Sequence, residues 1–177
     1  MSIEPLPTTM DVRKAAVRGI DVSGILKPLD LKRFRPLLSS DEGNIAIEMA
    51  FSRDDENRYL LQVRLEADIV VSCQRCLEAM PEHLSWVNTL AIVWTDEEAV
   101  SLPRHLDPLV VSGNSCNLWD VVEDELILTI SPFSYHALED CSLMIADLRE
   151  PLPQPDTRRD TPNPFKALGH LKPGSKH

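Results

Sequence analysis

The sequence predicts an α+β fold, in which an antiparallel sheet of three or more strands is covered by an amphipathic helix and flanked by extended N- and C-terminal arms. Residues 44–52 and 59–66 alternate apolar with polar side chains, which is the period of half-buried strands. Residues 118–130 repeat apolar side chains at helical spacing instead. Because the strands do not alternate with helices, a doubly wound parallel sheet is not expected.

The strands follow one another in chain order. The two alternating segments are joined by the polar residues Asp54–Asn57, so they are predicted to form an antiparallel hairpin. A third strand is predicted from Leu84 to Trp94, where Asn88 is the one polar residue on the apolar face. Residues 96–107 are an acidic, proline-bearing loop, and Pro108–Val111 is predicted to be a short edge strand.

Two helices are predicted. The stronger pattern runs from Leu118 to Ile130, where Asn117 is a suitable N-cap and Pro132 marks a stop. A shorter helix is predicted to begin at Pro28, because proline fits the first helical turn, and to continue over Leu29–Phe34.

Charge is divided unevenly along the 177 residues, whose formal net charge is −10. Residues 1–40 hold seven Lys/Arg and four Asp/Glu, residues 41–156 hold six and twenty-three, and residues 157–177 hold five and one. We therefore predict one acidic domain over residues 1–150 with a basic N-terminal segment, and a proline-rich basic tail over residues 151–177 that is flexible or docks as a short helix. An acidic body repels phosphate backbones and favours a basic protein partner, so any direct RNA contact is expected at the ends. The alternative for both ends is a solvated surface.

The expected compartment is the cytoplasm. The first residues lack the charged and apolar regions of a secretory leader. The longest uncharged apolar-rich stretch, Leu84 to Thr95, is too short to span a bilayer, so no membrane contact is expected. Because cytoplasmic thiols stay reduced, the four cysteines indicate metal binding, thiol chemistry or simple burial rather than structural disulfides.

Cys73 and Cys76 form the sharpest local motif, because two cysteines at this spacing direct both sulfurs into one tight turn. A tetrahedral zinc site needs two more ligands. His136 and Cys141 offer them, in the order His-x-x-x-x-Cys. The sequence thus predicts a Cys₃His site that would bind zinc.

Other interpretations of these residues stay open. His83 and Cys116 are competing ligands, although Cys116 is more simply explained as a small buried residue. A thiol oxidoreductase using Cys73 and Cys76 is an alternative, as is a set of partly buried cysteines with no ligand. Thioredoxin-type motifs open a helix, whereas here residues 77–81 follow the motif and end in a proline.

No enzyme is expected, because the sequence contains no phosphate-binding glycine loop and no nucleophile-elbow motif. The run Glu123-Asp124-Glu125 is interpreted as a solvated helix face, since three consecutive helical carboxylates spread around the axis instead of sharing a cleft. Arg75, between the two cysteines, either points outward toward phosphate or carboxylate or is simply solvated. These features favour a binding protein with no small-molecule substrate.

Several ordered segments together are similar to one known family. They are Gly24 with Leu26 and Pro28, the Cys73–Cys76 motif, Val122–Leu128, the segment with Pro132, His136 and Cys141, and Asn163-Pro164-Phe165 with Leu168 and Leu171. This set resembles the YceD family, also called large ribosomal RNA subunit accumulation proteins, over nearly the whole chain. The resemblance implies a cytoplasmic, non-enzymatic factor required for large-subunit ribosomal RNA to accumulate or to be processed.

The expected partner is a large-subunit ribosomal precursor, contacted through a ribosomal protein or through its RNA. Contacts are predicted at Arg75 and, in the tail, at Asn163, Pro164, Phe165, Lys166 and Leu168. The spacing of the tail's apolar residues provides one anchor on a nascent helix. The alternatives are that the tail folds back on its own domain, or that the protein is a small zinc-binding regulator that contacts RNA directly.

Overall fold

The computed structural model describes residues 6–142, and it confirms the α+β class. The strands are β1 (Thr9–Asp11), β2 (Asp21–Leu26), β3 (Asn44–Arg53), β4 (Tyr59–Ser72), β5 (Ala79–Val93), β6 (Asp107–Val110) and β7 (Ser115–Asn117). The helices are α1 (Val12–Arg18), α2 (Asp96–Val100) and α3 (Leu118–Thr129), with 3₁₀ turns at Pro28–Asp30 and Arg35–Leu37. Within residues 6–142, no helix combines the length and apolar character needed to cross a bilayer.

Five of the described strands form one sheet in the order β2-β3-β4-β5-β6. Strands β2 to β5 are antiparallel neighbours, whereas β6 pairs in parallel with β5 and places Asp107 opposite Leu90. A parallel pair needs a long crossover connection. The segment predicted as a loop over residues 96–107 provides it and contains α2. The remaining strands, β1 and β7, pair with each other as a separate two-stranded ribbon.

One face of the sheet carries the core. The alternation in β3 and β4 buries a row of apolar side chains that are at most 1% exposed: Ile45, Ile47, Met49, Phe51, Leu61, Val63 and Leu65. Helices α1 and α3 add apolar side chains to the same cluster, including Val12, Ala15, Ala16, Leu118, Val122 and Leu126. The intervening residues of β3 and β4 face away from this core. They include the charged residues Glu48, Arg64 and Asp68, and the opposite face, although it also carries Leu60 and Val70, is called the polar face below.

The residues before β3 contain structure that the sequence pattern did not predict. Helix α1 begins after Asp11, whose carboxylate accepts a hydrogen bond from the Lys14 N–H, and it ends at Gly19 in the left-handed region. The helix predicted from Pro28 through Phe34 is wrong, because only short 3₁₀ turns form there. Phe34 is 0% exposed, so this segment places its aromatic side chain in the core and does not continue as one helix.

The N-terminal arm packs against β2. Leu6 is 2% exposed, and its carbonyl accepts a hydrogen bond from Trp119 Nε1 at 3.0 Å. Gly24 permits this approach, because a Cβ at that position would lie 2.5 Å from the backbone nitrogen of Leu6. The described end of the arm is therefore anchored to both β2 and α3.

The burial of two carboxylates of α3 is the main difference from the surface that the sequence predicts. Glu123 is 5% exposed and accepts hydrogen bonds from the Arg33 main-chain N–H at 2.6 Å and from Arg33 Nε at 2.9 Å. Asp124, in contrast, remains exposed and pairs with Arg33 Nη1 at 2.6 Å. The prediction of a solvated face is right for Asp124 and wrong for Glu123. The sequence pattern did not reveal the burial of Glu123, because its partner Arg33 is ninety positions away in the sequence.

Glu125 is also buried, at 4% exposed. Its carboxylate accepts hydrogen bonds from Trp86 Nε1 at 2.7 Å and from Asn88 Nδ2 at 3.1 Å. This hydrogen bond explains why Asn88, a polar residue, lies on the apolar face of β5. Its side chain provides one of the donors that the buried carboxylate needs. These contacts attach α3 to β5.

We expect Glu123→Ala to lower the free energy of unfolding by about 2 kcal/mol, because it leaves the Arg33 main-chain N–H and guanidinium without their acceptor. Asp124→Ala is the matched control on the same arginine, and an exposed ion pair contributes under about 1 kcal/mol. Urea denaturation followed by circular dichroism measures both losses. Equal losses would contradict the assigned difference in burial.

Candidate metal centre

The hairpin of β4 and β5 ends in a tight turn that carries Cys73 and Cys76. The Cys73 N–H donates to the carbonyl of Glu78 at 2.9 Å, and the Leu77 N–H donates to the carbonyl of Cys73 at 2.9 Å. Leu77 has a φ of 64°, in the left-handed region that side-chain-bearing residues rarely adopt. The turn is thus fixed by its own backbone hydrogen bonds with both cysteines held in it.

His136 and Cys141 reach this turn from the segment that follows α3. One metal-binding atom from each of Cys73, Cys76, His136 and Cys141 lies within 4.8 Å of the others. Cys76 Sγ and His136 Nδ1 are 3.3 Å apart although they are 60 positions apart in the sequence. The structure therefore brings together the four residues that the sequence spacing singled out, and their occupation by a metal stays a prediction.

Hydrogen bonds to the sulfurs favour the thiolate form of both turn cysteines. Burial raises the pKa of the Cys73 thiol, but the N–H groups of Cys76, His136 and Arg75 outweigh it and lower the pKa from 9.0 to about 5. The Glu78 N–H is the largest cause of the lowered pKa of Cys76. In turn, the side chains of Cys76 and Cys73 raise the pKa of His136.

Two residues of the cluster are buried and two are half-buried. Cys73 is 0% exposed and Cys141 is 6% exposed, whereas Cys76 and His136 are half-buried. Structural zinc sites have four protein ligands, and catalytic ones keep a position open for water or substrate. Three sulfurs and one imidazole nitrogen that converge in this way provide the four protein ligands of the structural type.

The guanidinium of Arg75 lies over an aromatic ring of the segment that follows α3. Its guanidinium carbon is 5.3 Å from the ring centroid of Tyr135. Its Nη1 atom is buried and has no hydrogen-bond partner among the described residues. The predicted contact of Arg75 with a partner stays a prediction, and the sequence contained no signal for the contact with Tyr135.

The competing ligands lie apart from the cluster. His83 faces the polar side of the sheet, where its Nδ1 is 2.8 Å from Asp68 and its Nε2 is 3.2 Å from Glu66. Cys116 is half-buried in β7, and burial raises the pKa of its thiol. The tail residues predicted to contact a partner lie outside the described part of the chain; they are Asn163, Pro164, Phe165, Lys166 and Leu168.

The described fold and site define an α+β protein with a candidate structural metal centre. The family model for the large ribosomal RNA subunit accumulation protein YceD matches residues 61–172, and the chain belongs to this family. A protein of Haemophilus influenzae named large ribosomal RNA subunit accumulation protein YceD is 27% identical over 169 residues, which cover 94% of this chain and 96% of that protein. No solved structure matches the chain.

In the metal-free protein, we expect thiolates of the cysteine turn to persist until the pH falls well below neutrality, since the pKa of Cys73 is about 5. A folded-state pKa below the unfolded value means that the thiolate stabilises the fold above the unfolded pKa, and that this contribution is lost as the pH falls through the folded pKa. An acid titration followed by the ultraviolet absorbance of thiolates measures this step.

The matched variants for that titration are the double change Cys73→Ala with Cys76→Ala, and Cys116→Ala. The double variant is expected to lose amplitude below neutral pH. Cys116→Ala is expected to keep it, because the pKa of that thiol is raised. Equal loss in both variants, or thiolates that all titrate at alkaline pH, would contradict the assignment.

Proposed function

We propose that this chain is a cytoplasmic, non-enzymatic factor that supports the accumulation of large-subunit ribosomal RNA by binding a protein component of the large-subunit ribosomal precursor. The name of the Haemophilus influenzae relative supports the role, because the match covers nearly the whole of both chains. The charge and shape of the described domain support binding to a basic protein.

The observation that carries the proposal is the polar face of the five-stranded sheet. It exposes the carboxylates of Asp21, Glu48 and Asp68, while Arg64 lies beside Glu48 at 3.8 Å. An open cleft of about 360 Å³ lies over β2, β3 and β4 on this face. Helices α1 and α3 pack on the other face, so within residues 6–142 this face presents an acidic surface to a partner.

Three of the seven basic residues of the N-terminal segment form ion pairs within the domain. Lys14 pairs with Asp11 at 2.9 Å, and Arg35 pairs with Asp41. Arg33 is held by Glu123 and Asp124, as described above. These pairs neutralise part of the positive charge that a nucleic-acid backbone would contact, which favours a protein partner over direct RNA contact.

Two observations favour the role of metal ligand over that of thiol oxidoreductase for Cys73 and Cys76. The nucleophilic sulfur of a disulfide exchanger must be reachable by its substrate. Cys73 is 0% exposed and Cys76 is half-buried, so the pair offers one sulfur at most. The motif also lies in a turn between antiparallel strands and does not open a helix. A low thiol pKa combined with burial is better suited to a metal ligand than to a redox catalyst.

The proposal extends to the tail. We propose that Asn163, Pro164, Phe165, Lys166 and Leu168 contact the same precursor as a short linear segment, with Arg75 as a further contact. Deleting residues 160–177 tests this part by itself. Unchanged co-sedimentation of the shortened protein with the large-subunit precursor would contradict the tail contact without affecting the role of the sheet.

We expect the triple variant Glu48→Gln, Glu66→Gln and Asp68→Asn to bind the precursor about tenfold more weakly. Two exposed carboxylates and the half-buried Glu66 contribute about 1.4 kcal/mol in total. The measurement is co-sedimentation of the tagged protein with large-subunit precursors at two salt concentrations. Higher salt is expected to reduce the difference, because it screens exposed charges.

The control for this experiment is a second triple variant with the same change in charge, Asp55→Asn, Asp96→Asn and Glu97→Gln, on the turn after β3 and on α2. Its binding is expected to stay close to that of the unchanged protein. A ribonuclease-treated sample is run in parallel. Loss of all partners after ribonuclease, or equal weakening by both triple variants, would contradict binding to a basic protein at the sheet face.

A further inference from the structure

The segment that follows α3, residues 131–142, buries a cysteine and exposes its large hydrophobic side chains. Phe133, Tyr135 and Leu138 are 66%, 47% and 64% exposed, whereas Cys141 is 6% exposed. The segment forms neither helix nor strand. Burial of apolar surface, which positions most segments of a folded chain, therefore does not account for its place against the sheet.

The hydrogen bonds that join Ser134 and His136 to the rest of the domain converge on one place. The Ser134 carbonyl accepts a hydrogen bond from the Gln74 N–H at 2.9 Å, and the Ser134 hydroxyl donates to the Glu82 carboxylate at 2.6 Å. The His136 N–H donates to Cys73 Sγ at 3.5 Å. All these bonds end at the cysteine turn or on β5 beside it. They offset little of the conformational entropy lost when a segment of this length is ordered.

The geometry of the cluster fits a tetrahedral ion. Zinc bonds of about 2.3 Å to sulfur and about 2.0 Å to nitrogen place the two ligand atoms about 3.5 Å apart in a tetrahedron. Cys76 Sγ and His136 Nδ1 lie 3.3 Å apart, and all four ligand atoms lie within 4.8 Å of one another. N–H groups of the turn also point at the sulfurs, which is the outer-shell support that metal-bound thiolates require.

We propose that Cys73, Cys76, His136 and Cys141 hold a structural zinc ion that fastens residues 131–142 to the turn between β4 and β5. Three thiolates and one imidazole form a closed tetrahedral shell, which is the soft donor set that selects zinc over oxygen-preferring ions such as magnesium. The ion takes the place of the hydrophobic contacts that this segment does not make. The inference goes beyond the proposed function, because it concerns the domain by itself and holds whatever the partner is.

The first test is the metal content of the full-length protein purified without chelator. Mass spectrometry of the metals is expected to give about one zinc ion per chain, as one four-ligand site requires. Cys141→Ser is expected to lose most of this zinc, and Cys116→Ser, a cysteine outside the cluster, is expected to retain it. A full-length protein that contains no zinc and takes up neither zinc nor cobalt from solution overturns the proposal. Retention of zinc by Cys141→Ser overturns it as well.

The second test uses the unchanged protein, so it does not depend on whether the variants fold. Amide hydrogen exchange is measured before and after a chelator removes the metal. Exchange is expected to rise in residues 131–142 and 73–78, while β3 and the middle of β4 stay protected by the core. A segment whose exchange is unaffected by the chelator, or a loss of protection spread evenly over the sheet, contradicts the fastening role.

Discussion

The pairing of β4 with β5 is the constraint on which the rest of the structure depends. The register runs without a break from Tyr59 opposite Ile92 to Ser72 opposite Ala79. A shift by one residue would exchange the buried and exposed faces of both strands, so the alternation of side chains fixes it. The same register sets the polar face of the sheet, the position of β6 at the edge, and the turn that holds Cys73 and Cys76.

Elements whose signal is local could be predicted from the sequence. The strands around the hairpin and helix α3 follow from their periods, and Asn117 does cap α3, accepting a hydrogen bond from the Trp119 N–H. Elements that depend on distant partners could not be predicted in this way. The buried state of Glu123 depends on Arg33, and the parallel direction of β6 depends on the crossover that contains α2. Helix α1 has only seven residues, so its apolar positions repeat over less than two turns.

The spacing of cysteines and histidine in the sequence predicted which residues form the cluster. It did not reveal why these residues come together in the fold. The motif Cys-x-x-Cys indicates a turn. His136 and Cys141 could be proposed as the further two ligands only from their order along the chain. The structure adds that the second pair sits in a segment whose hydrophobic side chains remain exposed. It also adds that Arg75 contacts Tyr135 across the same junction. The end of the hairpin is therefore built from polar, sulfur and aromatic contacts, whereas its middle is built from apolar burial. This division gives the sheet an apolar face that packs against the helices, an opposite face that exposes carboxylates, and one end that carries the cluster.

The most direct test of this account is X-ray absorption spectroscopy at the zinc edge on the full-length protein as purified. A structural Cys₃His centre predicts three sulfur neighbours at about 2.3 Å and one nitrogen neighbour at about 2.0 Å. A shell of oxygen and nitrogen atoms, or a metal-free protein in which Cys73 and Cys76 are joined by a disulfide, would contradict it.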